Sequence, residues 1–209
     1  MLKITDLGFT YGLGWLIKDL SFELKAGQLV QLSGPNGSGK TTLLKIIVGL
    51  LRASKGNVAV TVPDASCRAD VMEYLPSEAN CFYGKLSAVG NLKFFAELRG
   101  KHLSNDVIGT ELNNWGLSKT WIMEELWVER FSTGMRRRLA LARLNLANVP
   151  LWILDEPLYG LDSSGFDVFH QTLKRHVERG GSAIMVSHDE TIFSDLPVTK
   201  LAMKSGGGA

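Results

Sequence analysis

Hydrophobic positions along this chain do not keep a single period, and each change of period predicts a different element. Over residues 1–30 they alternate with polar ones. Leu20, Phe22 and Leu24 fall on one face against Ser21, Glu23 and Lys25 on the other, the pattern of antiparallel strands with one wet side. Two later runs, Leu151-Trp152-Ile153-Leu154 and Ala183-Ile184-Met185-Val186, are apolar throughout, as expected of strands buried on both faces of a parallel sheet. Gln28 to Ser33 and Asn57 to Val62 also read as strands. Helical spacing marks Thr42 to Leu50, Ala88 to Leu98, Asp106 to Trp115, Arg136 to Leu146 and Gly165 to Arg179, with Gly100, Gly116 and Gly180-Gly181 as stops. The order predicts an α/β chain: antiparallel strands first, a helix-rich zone over roughly 80–147, and two strands flanking a helix from 150 onward that complete a mainly parallel core. Gly206-Gly207-Gly208 reads as a frayed tail.

The strand ending at Ser33 runs into Gly34-Pro35-Asn36-Gly37-Ser38-Gly39-Lys40-Thr41, followed by Thr42 and an apolar helix. Glycines without Cβ let such a loop curl and aim successive N–H groups at phosphate oxygens, while the helix presents its positive end to them. Lys40 is expected to bind the β- and γ-phosphates, and the Thr41 hydroxyl a magnesium ion. Asp155, at the end of the run from Leu151 to Leu154, is the second expected magnesium ligand, through water. Glu156, just before Pro157 and at the carboxyl end of a strand, is placed to polarise the attacking water. The expected ligands are ATP and Mg²⁺.

Ser132-Thr133-Gly134 lies upstream of Asp155, Gly160-Leu161-Asp162 follows it, and Ser187-His188-Asp189 closes the final apolar strand. With the phosphate loop, this order resembles the nucleotide-binding subunit of an ATP-binding cassette (ABC) transporter over nearly the whole chain. The resemblance implies a P-loop NTPase fold with an N-terminal antiparallel β subdomain and an inserted helical subdomain. It implies one domain over 1–209, with a core at 1–76 and 150–203, a helical part at about 80–147 and a tail at 204–209. Tyr11 would stack on adenine, and Gly34 to Thr42 with Asp155 would hold the phosphates and metal. Glu156, His188 and Lys40 would be catalytic. Ser132 and Gly134 would complete the site of a second copy in a head-to-tail homodimer, and Asp162, in the D-loop, would be a further nucleotide-binding residue. A separate transmembrane permease would be the partner, with the chain cytoplasmic and peripheral on the inner face of the cell membrane.

The signature reads Phe131-Ser132-Thr133-Gly134-Met135 where the family has LSGGQ, and the stiffer Thr133 takes a glycine's place. After Tyr74-Leu75-Pro76 the family's glutamine is replaced by Ser77 or Glu78. Several phrases are similar to small bacterial exporter ATPases, including the haem-exporter subunit of cytochrome c maturation. The segment from Glu78 to Tyr83 and the altered signature lean toward drug or polysaccharide exporters. The alternative is a soluble, non-transport ABC ATPase, although such proteins carry two cassettes or a long coiled coil.

Composition excludes more than it adds. A chain of 209 residues, 45% hydrophobic, suits one sizeable core, and a net charge of +2 selects no partner. Arg136-Arg137-Arg138 reads as a solvated helix face rather than a nucleic-acid patch. Cys67 and Cys81 lack metal-ligand spacing and fit a reducing compartment. No apolar run approaches the ~20 residues needed to span a bilayer, and the N-terminal residues lack a signal-peptide core.

Overall fold

The alternating N-terminal pattern becomes two paired strands in the computed structural model, which describes residues 1–62, 67–78, 81–119 and 125–204. The chain divides into two compact units. One comprises residues 1–74, 149–156 and 176–209, the other residues 75–148 and 157–175.

In the first unit, β1 (Leu2–Phe9) pairs antiparallel with β2 (Ile17–Leu24), Ile4 opposite Phe22. β3 (Leu29–Ser33) leads into α1 (Lys40–Val48). β4 (Lys55–Val60) returns to the other edge of β1, Ile4 opposite Val58, closing a three-stranded sheet in the order β2-β1-β4. After α2 (Arg68–Val71), the strands β5 (Met72–Leu75), β6 (Leu151–Asp155), β7 (Ser182–Val186) and β8 (Val198–Ala202) join β3 in a second sheet, ordered β5-β6-β7-β3-β8. β3 is parallel to β7 and to β8, and β6 is parallel to β7. Every residue of β6 and β7 is buried, which is why these runs could dispense with alternation.

Leu43, Leu44, Ile46 and Ile47 of α1 share one core with Leu2, Ile4 and Leu24 of the antiparallel sheet and with Val30, Ile153 and Ile184 of the parallel one. Each such side chain contributes roughly 1.5–3 kcal/mol on burial, so the helix that begins at Lys40 is fixed from both sides.

In the second unit, α3 (Ala88–Glu97), α4 (Asn105–Asn114) and α5 (Thr133–Ala147) pack on one another. Each starts at a serine cap: Ser87 accepts from the Gly90 amide, Ser104 from Val107 and Ser132 from Met135. The buried Glu111 carboxylate ties two of these helices, accepting from Trp115 Nε1 (2.7 Å) and Asn145 Nδ2 (3.0 Å). α6 (Ser163–Glu178) carries the chain back to the first unit, to which its residues from His176 onward belong. There the His176 ring stacks on Trp152, with centroids 3.8 Å apart and planes 7° apart.

Three readings change. β5 and β8 add strands that the hydrophobic pattern does not announce, because β5 has four residues and β8 is a half-exposed edge containing Thr199 and Lys200. α5 begins at Thr133 rather than Arg136, so the signature serine is a helix cap. Arg137 is only 1% exposed, so the three arginines do not form a solvated face. The glycine tail at 206–208 lies outside the described residues.

Candidate functional site

Gly34 opens the loop at φ 140°, and a Cβ there would stand 2.4 Å from the carbonyl oxygen of Met203, so the turn out of β3 is open to glycine alone. Pro35, Asn36 and Gly37 are exposed, whereas Ser38 and Gly39 are buried. Gly39 sits at the start of α1 without a side-chain cap, which leaves the first amides of that helix directed into the loop. Lys40 Nζ lies over the same loop, donating to the carbonyls of Gly34 (2.8 Å) and Pro35 (3.0 Å).

Thr41 Oγ1 donates to Asp155 Oδ2 at 2.8 Å, joining the first turn of α1 to the end of β6. Asp155 is 2% exposed. The burial of Tyr74 itself and then the charge of nearby Asp155 push the Tyr74 hydroxyl up to about 12. Thr42 is also buried, and its hydroxyl lies 3.4 Å from the Tyr11 hydroxyl. Tyr11 follows β1 in a loop, its ring packed edge-on against Phe9 and the residue 68% exposed.

Glu156 is a non-glycine residue at φ 49°, a backbone state that costs on the order of 1–3 kcal/mol and that gathers at functional sites. Its amide donates to Val186 O (3.0 Å), which holds the strained turn against the end of β7. Its Oε1 meets His188 Nε2 at 3.3 Å. Burial pushes the Glu156 carboxyl above its ordinary value, opposed by His188 and Lys40 and reinforced by Asp155. A carboxylate so raised is a stronger base than a solvated one. The strand preceding His188 is tied back as well, since Gln31 Nε2 on β3 donates to Ser187 O (3.4 Å).

The remaining expected residues lie in the second unit. Ser132 is exposed at the N-terminus of α5, its Oγ accepting from Met135 N (3.2 Å). Gly134 allows close approach of a neighbouring turn, for a Cβ there would lie 3.0 Å from Gly160 O. Thr133 in place of glycine is accommodated because it has entered the helix, where no positive φ is required. Asp162 Oδ1 accepts from Gly165 N (2.8 Å), Ser164 Oγ (3.0 Å) and Arg138 Nη2, and these donors, the amide first, hold its carboxyl below the ordinary value.

The sequence-expected residues thus fall into two groups. Tyr11, Gly34 to Thr42, Asp155, Glu156 and His188 converge in the first unit; Ser132, Gly134 and Asp162 belong to the second. Arg137 and Arg138 escaped sequence reasoning as organisers of the second group, since a run of like charge gives no sign of which member is buried.

A phosphate loop, a strand-end Asp-Glu pair and a histidine at the next strand end define a nucleotide-hydrolysing P-loop protein. The ABC transporter family matches residues 17–159, and the chain belongs to that family. It is the ATP-binding, ATP-hydrolysing subunit of such a transporter. The chain is similar to "Cytochrome c biogenesis ATP-binding export protein CcmA 2" of Cupriavidus metallidurans, at 36% identity over 99% of this chain and 97% of that protein. It is similar also to the CcmA protein of Vibrio parahaemolyticus, at 35% identity over 94% of this chain and 96% of that one. The fold matches a solved structure described as a dimeric, post-hydrolysis state of the ATP-binding cassette MJ0796 bound to ADP and Pi. There the TM-score is 0.84 and the identity 24%, over 99% of this chain and 95% of the other. Among the described residues no helix is long and apolar enough to cross a membrane.

Proposed function

We propose that two copies of this chain meet head to tail around ATP, and that their closing and reopening drives export through a separate membrane-spanning permease. That permease would hold the chain at the inner face of the cell membrane. The observation that carries the reading is the Thr41–Asp155 bond beside the Glu156–His188 pair. It sets a phosphate-binding helix, an acidic strand end and a base in one unit, at the carboxyl ends of parallel strands where ligands of α/β sheets bind.

The loop from Gly34 to Thr42, through its backbone N–H groups (Pro35 having none), and the Lys40 ammonium bind and orient the phosphates, and Tyr11 offers an exposed ring to the adenine. Thr41 and Asp155, the latter through water, would hold magnesium, because a hydroxyl and a carboxylate 2.8 Å apart are hard oxygen donors. Bound there, the ion supplies charge neutralisation of the phosphate oxygens. Glu156 takes up the proton as its carboxylate orients the attacking water, and His188 holds that carboxylate in place and donates toward the γ-phosphate. Ser132 and the first amides of α5 in the other copy stabilise charge on the same phosphate, with Gly134 and Asp162 keeping that turn in shape. Export rather than import is supported by the relatives' names, which describe export proteins of cytochrome c biogenesis.

The test is a pair of variants and a mixture. Lys40→Ala is expected to lose tight ATP binding, whereas Glu156→Gln keeps it and accumulates an ATP-bound dimer on size-exclusion chromatography with magnesium. A Glu156→Gln protein that hydrolyses at the wild-type rate removes Glu156 from this role. Mixing Lys40→Ala with Ser132→Arg subunits should restore about one working site per mixed dimer, because each defect falls in a different composite site. Mixed dimers that form and stay inactive refute the head-to-tail arrangement. Copurification from membranes identifies the permease, and a chain that associates with none would favour the soluble alternative.

A further inference from the structure

Successive helical residues point about 100° apart, so the three consecutive arginines near the start of α5 cannot share a face. Arg136 Nη2 reaches Glu129 O (2.9 Å). Arg138 reaches Trp115 O (2.8 Å), Ser164 Oγ (2.7 Å) and Asp162. Arg137 points inward and is among the largest fully buried side chains of the protein. Each of its nitrogens donates to a main-chain carbonyl: Nε to Tyr159 O (3.2 Å), Nη1 to Pro76 O (3.0 Å) and Nη2 to Ser77 O.

Those carbonyls belong to two different stretches of backbone. Pro76 and Ser77 follow β5, in the segment where the family's glutamine is missing; Tyr159 lies three residues beyond Glu156; Arg137 itself stands three residues beyond Gly134. A residue kept only to fill space would be apolar, since burying a guanidinium is costly. A lysine is a point charge on a flexible stem, and a glutamine has one donor nitrogen. Only the planar fork of arginine offers donors in enough fixed directions to serve three carbonyls at once.

We propose that Arg137 is a positioning residue for ATP hydrolysis. It locks the backbone leaving β5 and the backbone beyond Glu156 to the first turn of α5, so that the signature and both loops respond to nucleotide as one body. Because the tie is to main-chain oxygens, it operates whichever side chain occupies position 77, and it carries the coupling without the family's glutamine. The inference rests on the roles proposed above for Glu156, Ser132 and Gly134.

The test uses the full chain with Arg137→Lys and Arg137→Gln. Equilibrium binding of fluorescently labelled ATP, steady-state hydrolysis with magnesium, and hydrogen exchange with and without a non-hydrolysable ATP analogue are measured for each. The expected result is a fall in kcat of tenfold or more with nucleotide affinity within threefold of wild type. Analogue-induced protection should persist at residues 34–42 and disappear at residues 75–78 and 157–161. A group that only stabilised the fold would lower the melting temperature without separating kcat from affinity or one set of amides from the other. The proposal is overturned if either folded variant keeps kcat within twofold of wild type, or if all three segments remain protected. It is overturned also if neither variant folds, which would make Arg137 a structural group. A wild-type chain that fails to hydrolyse ATP counts against the function assigned above, and the exchange pattern still decides the role of Arg137.

Discussion

Replacing Gly34 by alanine isolates the constraint that shapes the phosphate loop. The new Cβ would meet Met203 O at 2.4 Å, Ser38 Oγ at 3.0 Å and Met203 Cβ at 3.2 Å. The first of these cannot give way cheaply, since Met203 N donates to Ser33 O at 2.7 Å and pins that backbone to the residue before Gly34. Two terms add. A non-glycine residue at positive φ costs roughly 1–2 kcal/mol, and forcing a methyl group into a filled space costs about 1–3 kcal/mol. The expected loss of unfolding free energy is therefore about 2–5 kcal/mol. Gly37→Ala supplies the comparison, because Gly37 has φ 78° and nothing within 4 Å of its Cβ position, leaving the backbone term alone. Urea unfolding of both variants without nucleotide measures the difference, which should be at least 1 kcal/mol in favour of Gly37→Ala. Nucleotide titration of Gly34→Ala should show affinity reduced tenfold or more, as a shifted loop loses one or two charge-assisted amide bonds worth ~1.5–3 kcal/mol each. Two variants that unfold within 0.5 kcal/mol of each other would refute the argument that Met203 sets the turn.

Burial holds the His176 imidazole below its ordinary value, so the unfolded chain binds this proton more readily; stability should fall as pH drops below about 6.5, and His176→Phe should flatten that part of a pH–denaturation series. Gly181→Ala places a methyl group 2.3 Å from the same ring, so its destabilisation in thermal melts should largely vanish in a His176→Ala background rather than add to it. Glu156 is raised by burial and lowered by His188; the acid limb of the kcat–pH profile should therefore lie above 4.5, and in His188→Ala the limb of the residual rate should move higher still. Restoring glutamine at Ser77 or at Glu78 should increase permease stimulation of hydrolysis in one variant only if the amide couples the partners; equal responses of both variants would leave the coupling to Arg137.

How much of this was legible in advance depends on whether a property is local. The strands of the parallel core could be read because β6 and β7 are buried on both faces, which makes their runs continuously apolar. The phosphate loop could be read because its glycines, Lys40 and Thr41 must be contiguous to form one turn. β8 escaped because an edge strand with exposed Thr199 and Lys200 satisfies no simple period. The start of α5 escaped because Gly134 lowers helix propensity in its first turn. Arg137 was misjudged for a different reason: its burial is set by carbonyls some sixty residues before it and some twenty after it, and no window of sequence contains them all.

Among the described residues, β3, the strand that delivers the phosphate loop, pairs with β7 and β8. Both come late in the sequence, so a ribosome working at ~5–20 residues per second makes β3 roughly 7–30 s before its first neighbour exists. During that interval the loop lacks the sheet that aims it, and Gly34 lacks the Met203 carbonyl against which it turns. The geometry of the phosphate loop is thus a property of the assembled sheet and cannot be set by residues 34–42 alone.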